Sequence, residues 1–227
     1  QVIRRIKPVK SYLSFFSIVA VLVTMVFYSS EASAQLPPVD QTFDTSKPAK
    51  LDIVEGLGRY RVRETLAGVT FESDAVGNTE SITGSLTILP DGSIGSGSKI
   101  TVDLTTLKSD QAFRDMYLGM VTLETKNFPT LDFTPTQING LDGPLPSTDV
   151  PAPIGFSLVG DVTLKGTTKE TTWEVIGILN GSTVSGRAAT TLLFSDFELT
   201  KPAIPFLASV ADEIQLEIEF TIKRSEM

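Results

Sequence analysis

Residues 213–222 set Ile214, Leu216, Ile218, Phe220 and Ile222 in strict alternation with Glu213, Gln215, Glu217, Glu219 and Thr221. Successive side chains of a strand point to opposite faces, so this run has a dry side and a wetted one. It predicts a half-buried antiparallel strand, and its period of two excludes a helix.

Other runs share the period. Residues 58–72 carry Tyr60, Val62, Val69 and Phe71, with a break near Ala67 and Gly68. Residues 82–89 follow, and Pro90, Asp91 and Gly92 form a tight-turn sequence. Residues 94–104 then place Ile100, Val102 and Leu104 on one side. Residues 130–138, 156–165, 168–179 and 185–194 complete the set, with Asn180 and Gly181 marking a hairpin. Ser109 to Val121 breaks the pattern. There Ala112, Phe113, Met116, Tyr117 and Met120 recur at helical spacing, with Ser109 or Asp110 available as a cap. Residues 140–153 are rich in Pro and Gly and read as a loop. The predicted fold is all-β: an eight-stranded antiparallel barrel with one short helix, over residues 57–227. Such a barrel either fills itself with side chains or holds one slim apolar ligand.

Ahead of the barrel, residues 1–10 are basic, residues 12–28 are apolar and uncharged, and Ala32, Ser33 and Ala34 are small. This is the order of a secretory signal. As a helix the apolar run would rise roughly 25 Å, close to the lower limit for crossing a bilayer. Residues 1–34 therefore read as a signal peptide or a retained transmembrane anchor, an N-terminal hydrophobic helix in either case. Residues 35–56 read as a Pro-rich linker. Basic residues before the apolar run leave the barrel outside the cytoplasm, periplasmic or otherwise extracytoplasmic, free or anchored through residues 11–30.

The chain has no cysteine and no histidine. Disulfides, thiolate nucleophiles and imidazole-based triads are thus excluded within it. The dispersed Asp103, Asp110, Asp115, Asp132, Asp161 and Asp196 have no calcium-loop spacing, so no metal site is expected. Residues 165–169 lack the glycine spacing of a phosphate loop and read as a hairpin turn. Four of the 19 basic residues and one of the 27 acids precede Gln35, so the rest of the chain is more acidic than the whole at −8. Nucleic acid is not an expected partner, because phosphate binding needs clustered Lys and Arg. No catalytic residues are proposed, and a binding protein is expected rather than an enzyme.

Five motifs occur in order. Residues 113–118 (Phe113, Arg114, Asp115, Met116, Tyr117, Leu118) resemble the RDxHL helix of the YceI-like family. Residues 127–133 resemble its KYPTITF strand, and residues 159–169 its GDLTIKGVTK hairpin. Ser195, Asp196 and Phe197 match its SDFG stretch, and residues 210–214 its VGDEV stretch. Tyr117 stands where that family commonly has His, Glu198 where it has Gly, and residues 121–123 replace its paired phenylalanines. The resemblance covers nearly all of residues 58–224. It implies a lipocalin-like barrel, exported in bacteria, that binds a polyisoprenoid or related amphiphile.

Phe71, Leu86, Ile100, Val102, Phe133, Phe156, Leu158, Trp173, Val175, Phe194 and Leu216 are the candidate lining residues. Periodicity alone does not separate a filled barrel from a hollow one. Arg114, Asp115 and Tyr117 are the polar candidates for a mouth. Arg114 either holds a ligand headgroup or pairs with an acid to fix the helix. Two functions stay open. One is a binding protein for an isoprenoid lipid, quinone or similar hydrophobic small molecule, with no covalent cofactor. The other is an accessory subunit of a membrane complex, respiratory or photosynthetic for example, whose barrel docks onto integral membrane proteins.

Overall fold

The computed structural model describes residues 44–226, apart from 142, 147 and 149. The expected N-terminal hydrophobic helix and most of the linker lie outside these residues. Among the described residues, no helix is long and apolar enough to cross a membrane.

Among the described residues, ten strands and one α-helix follow in chain order: β1 (Ala49–Leu66), β2 (Glu72–Thr79), β3 (Ile82–Ile88), β4 (Lys99–Asp103), β5 (Lys108–Ser109), α1 (Ala112–Tyr117), β6 (Thr130–Asn139), β7 (Ala152–Leu164), β8 (Thr167–Asn180), β9 (Thr183–Leu193) and β10 (Leu207–Glu226). All pairings are antiparallel, and β10 returns to β1, closing the sheet. Only eight staves surround the axis. β2 and β3 follow each other along the same side of β1, with one continuous register. β4 pairs with β3 and β5 with β2, and together they form the next stave, with a register offset of two residues between the two ladders. The eight-stranded barrel with one short helix expected from the sequence is the observed fold.

β4 starts at Lys99, not residue 94, because residues 95–98 turn, and β10 starts at Leu207, six residues before the expected strand. Three further departures from the expected boundaries matter more. Residues 49–56, read as the end of the linker, form the first part of β1. Ala49 and Leu51 are buried between Ile88 and Leu86 of β3 on one side and β10 on the other. Pairing on both sides outweighs the Pro-rich context before them. Second, β2 is a strand without an apolar alternation, held by its ladder to β1. Third, the helix is shorter than its period suggests. α1 spans six residues and runs into a π-turn at Leu118–Thr122, where the Leu123 N–H reaches the Leu118 carbonyl at 2.8 Å. Neither Ser109 nor Asp110 caps it, since Gln111 holds that place without a side-chain bond. Ser109 donates instead to the Asp115 carboxylate from its N–H (2.8 Å) and its hydroxyl (2.6 Å).

The turns follow local chemistry. Lys165 (φ 48°) and Gly166 (φ 81°) form the two-residue loop between β7 and β8, the left-handed geometry that matches strand twist. The Glu124 carboxylate meets Lys165 at 2.8 Å and so ties the segment after the π-turn to that hairpin. The core is the barrel interior. One cluster around Trp173, Phe133, Phe194 and Ile214 fills the end under α1. A smaller one of Leu51, Leu86, Ile88 and Leu145 fills the other.

Candidate functional site

Inward-facing residues of the staves enclose two apolar chambers, set end to end. The upper, of about 110 Å³, lies beneath α1 and the π-turn, where Leu118, Thr122 and Leu123 form its roof. The lower, of about 90 Å³, is walled by residues that include Leu86, Phe133, Phe156, Val175 and Phe220. Val102, Leu131, Trp173 and Ile218 border both and form a waist between them. Phe133 and Trp173 meet there as tilted rings with centroids 5.7 Å apart. For scale, a dry engineered cavity of roughly 150 Å³ admits benzene. The barrel is therefore neither empty nor filled.

Above the upper chamber a mouth of about 430 Å³ opens between α1, β1 and the segment leading into β10. Tyr60, Val62, Leu118 and Phe194 border both spaces. One side of the mouth is apolar, with Phe113, Ile204, Phe206 and Leu207. The other is charged. Glu64 points inward from β1 on the Tyr60 and Val62 face and is buried at 9% exposure. Arg114 Nη2 donates to Glu64 Oε1 at 3.1 Å, and Nη1 donates to Asp110. Burial pulls the Arg114 guanidinium down, but the bond to Asp110 and the Glu64 charge outweigh it and leave it raised. The same bond lowers the Asp110 carboxyl.

Tyr60 links mouth and chamber. Its ring lies over Gly77, where a Cβ would stand 2.4 Å from the ring, so β2 needs glycine at that point. Its hydroxyl is buried beside Ser109 without a hydrogen bond of good geometry. Burial pushes this group up to about 12, against the opposite pull of Arg114.

The far end is closed. Leu145, from the loop between β6 and β7, is 1% exposed and plugs the lower chamber. Arg224 Nη1 donates to the carbonyls of Leu145 and Pro146, both at 3.2 Å, and fixes that plug. A larger cleft of about 860 Å³ lies on the wetted outer face of β8, β9, β10 and β1. Its exposed Thr side chains and the Arg59–Glu217 ion pair suit water rather than an apolar ligand.

Ten of the eleven candidate lining residues surround the interior. Leu86, Ile100, Phe133, Phe156, Leu158 and Val175 face the lower chamber, Phe194 and Leu216 the upper, and Val102 and Trp173 both. Phe71 does not. It is 70% exposed, because the chain reverses after Leu66 and residue 71 ends that turn rather than a strand face. Of the polar candidates, Arg114 and Tyr117 line the mouth, whereas Asp115 serves as the acceptor for Ser109. The sequence alone marks Tyr60 as one apolar point of a strand and does not single out Glu64, Leu145 or Phe206. For Glu64 the signal was present, since period two puts it on the Tyr60 and Val62 face.

Comparison with known proteins places this architecture. A family model of the YceI-like domain matches residues 59–222. The fold is similar to BcnA of Burkholderia cenocepacia, at 16% identity and TM-score 0.55, covering 73% of this chain and 95% of that one. It is similar to a polyisoprenoid binding domain from Saccharophagus degradans implicated in plant cell wall breakdown, at 10% identity and TM-score 0.56, covering 77% and 98%. It also resembles a YceI protein of Campylobacter jejuni, at 17% identity and TM-score 0.50, covering 72% and 94%. No curated protein matches the chain in sequence.

Proposed function

The chain belongs to the YceI-like domain family, and from that premise we propose that it is a binding protein that carries a long apolar lipid, of polyisoprenoid type, inside its barrel. The observation that carries this reading is the pair of apolar chambers in line beneath an amphipathic mouth. A flexible chain gains roughly 0.8 kcal/mol for each methylene it buries, so a slender lipid needs no polar anchor in the chambers. A compact rigid ligand would need one wide space, which the waist at Trp173 interrupts. The polar side of the mouth, Glu64 and Arg114, suits the end of an amphiphile that stays near water. The Saccharophagus domain, a polyisoprenoid binding domain of the same fold, supports the choice of ligand. The basic and apolar order of residues 1–34 supports an exported protein that works outside the cytoplasm.

Organic extraction of the purified full chain, followed by mass spectrometry, tests the proposal. The expected result is a long-chain lipid in stoichiometric amount. Repeated extracts without lipid, together with no binding of added polyprenol, would overturn it.

A second reading, a docking module of a membrane assembly, draws on the exposed Phe71, Met116, Met120 and Phe206 and on the apolar run of residues 12–28. Co-purification with integral membrane proteins in mild detergent supports it. An intact mass that begins at Gln35 removes the anchor on which it depends.

A further inference from the structure

Ten large apolar side chains are exposed among the described residues, and they are not spread evenly. Phe71, Phe113, Met116, Met120, Val121 and Phe206 all belong to segments at the mouth end of the barrel. They include every phenylalanine and methionine of the ten, whereas the other four are valines and isoleucines on the walls or at the closed end. Three segments present the six: the β1–β2 turn, α1 with its π-turn, and the chain before β10. These segments are tied into one rim. Phe113 packs on Phe206, the Ala67 N–H bonds the Phe206 carbonyl, and the Thr122 hydroxyl donates to the Thr200 carbonyl at 3.0 Å. Single exposed apolar residues need no explanation, but a cluster of them marks an interaction surface.

Charge says what kind of surface this rim fits. A groove of about 580 Å³ is lined by Met116, Met120, Leu104 and Leu107, and Lys108 and Lys126 border it. The acids that border the mouth and this groove are all engaged: Glu64 and Asp110 with Arg114, Asp74 with Arg61, Asp115 with Ser109, and Glu124 with Lys165. Asp196 and Glu198 line neither space. Lys108 and Lys126 are exposed, and among the described residues neither has an acid in ion-pair reach. An otherwise acidic protein therefore sets two unpaired cations beside its exposed methionines. Salt confines the field of exposed charges to about 8 Å, so these lysines outweigh the distant acids for whatever approaches the groove.

We propose that the mouth end docks on a bilayer that carries anionic lipid: the six apolar side chains enter the headgroup layer, Lys108 and Lys126 meet its phosphates, and the mouth opens into the membrane. The inference rests on the carrier reading above and adds where the cargo is exchanged. A long apolar lipid does not cross water readily, since each methylene exposed on the way lowers the partition about fourfold. A mouth seated in the bilayer removes that crossing. A protein partner on the same rim would cover the mouth and leave the lipid no apolar path. Phenylalanine and methionine also suit a fluid surface, because they pack without a fixed complement. The acidic walls are repelled by the same anionic surface, which orients the barrel mouth-down.

The chain has no cysteine, so one introduced cysteine takes a label at a single site. Phe71→Cys and Met120→Cys lie on separate segments of the rim, at 70% and 72% exposure, and Ile176→Cys on the outer wall of β8 is the reference. Each full chain carries the polarity-sensitive fluorophore NBD and is mixed with protein-free vesicles of phosphatidylglycerol and phosphatidylcholine. The expected result is a blue shift with brighter emission at 71 and 120, and none at 176. Lys108→Gln and Lys126→Gln should each weaken the response about fivefold, and should have no effect on vesicles of phosphatidylcholine alone. Unshifted labels at 71 and 120, in a protein that still binds added polyprenol, would overturn the inference and leave the carrier reading intact. That outcome includes a chain held at the bilayer by residues 1–34 without seating its mouth. A response to native membranes but not to protein-free vesicles would assign the rim to a membrane protein and overturn it too. Shifted labels in a protein that binds no polyprenol would bring down the carrier reading, and exchange at the mouth with it. Both rim positions are open to solvent and read independently, so the test does not hang on the folding of one variant.

Discussion

Phe113 of α1 and Phe206 of the segment before β10 meet edge to face across the mouth, with ring centroids 6.0 Å apart. Both rings are about half exposed. The Ala67 N–H bonds the Phe206 carbonyl at 3.0 Å, so this contact is tied to the β1–β2 turn as well. It is an aromatic latch over the way into the upper chamber. An aromatic pair contributes roughly 0.5–1.5 kcal/mol beyond its area. Replacing both rings with alanine should speed release of a bound fluorescent fatty acid by about two- to tenfold. Thermal stability should change little, since neither ring is core. An unchanged release rate in stopped-flow measurements would show that the ligand leaves by another route.

The ion pair beneath the latch is a different kind of contact. Glu64 and Arg114 side chains are 10% and 19% exposed, so neither charge is well hydrated. Arg114→Met strands the Glu64 carboxylate and should cost about 3 kcal/mol in urea denaturation. Adding Glu64→Gln should recover at least half of that loss. Equal losses in the single and double variants would mean that Arg114 acts through packing alone.

Tyr60 gives the site an alkaline signature. Its phenol should ionise late, at about 12, because burial disfavours its phenolate. The unfolded chain releases this proton near 10 while the folded one retains it. The stabilisation is thus fully present below about 10 and is lost as pH rises toward 12. Absorbance titration near 295 nm should show one late step that Tyr60→Phe removes. A titration with no step near 12, or one whose late step survives Tyr60→Phe, would contradict this.

Glu198 holds φ at 53°, a conformation that costs a side-chain-bearing residue roughly 1–2 kcal/mol relative to glycine. Its neighbours explain why the strain persists. Phe197 and Leu199 are buried on either side, at 1% and 7% exposure, and fix the backbone between them. Glu198→Gly should raise stability by about 1 kcal/mol with no change in lipid affinity. A neutral or destabilising effect would mean that the exposed carboxylate compensates for the strain.

Much of this was legible in the chain, and the limits have physical causes. Period two fixed the inward faces of β8 and β10, because each of those strands has one wetted side. Ser73, Ala75, Gly77 and Thr79 point inward from β2, yet they are too small or polar to show a period. Phe71 failed in the opposite way, since its spacing from Val69 continued an alternation that the backbone had already abandoned. Leu145 was out of reach, as a plug from a loop carries no periodic mark. The departure at Glu198 was visible as a residue where the related sequences commonly have glycine, but its meaning needed a dihedral angle. The division of the interior at Trp173 needed coordinates, because volume between facing staves depends on side chains far apart in sequence.

The central claim is that the chambers hold a lipid, and a diffraction map of the full chain crystallised with its co-purifying lipid tests it most directly. The account predicts elongated non-protein density that passes from beneath the Phe113–Phe206 latch, past Trp173, toward Leu145. Chambers closed by their own side chains, with no such density even after added polyprenol, would contradict it.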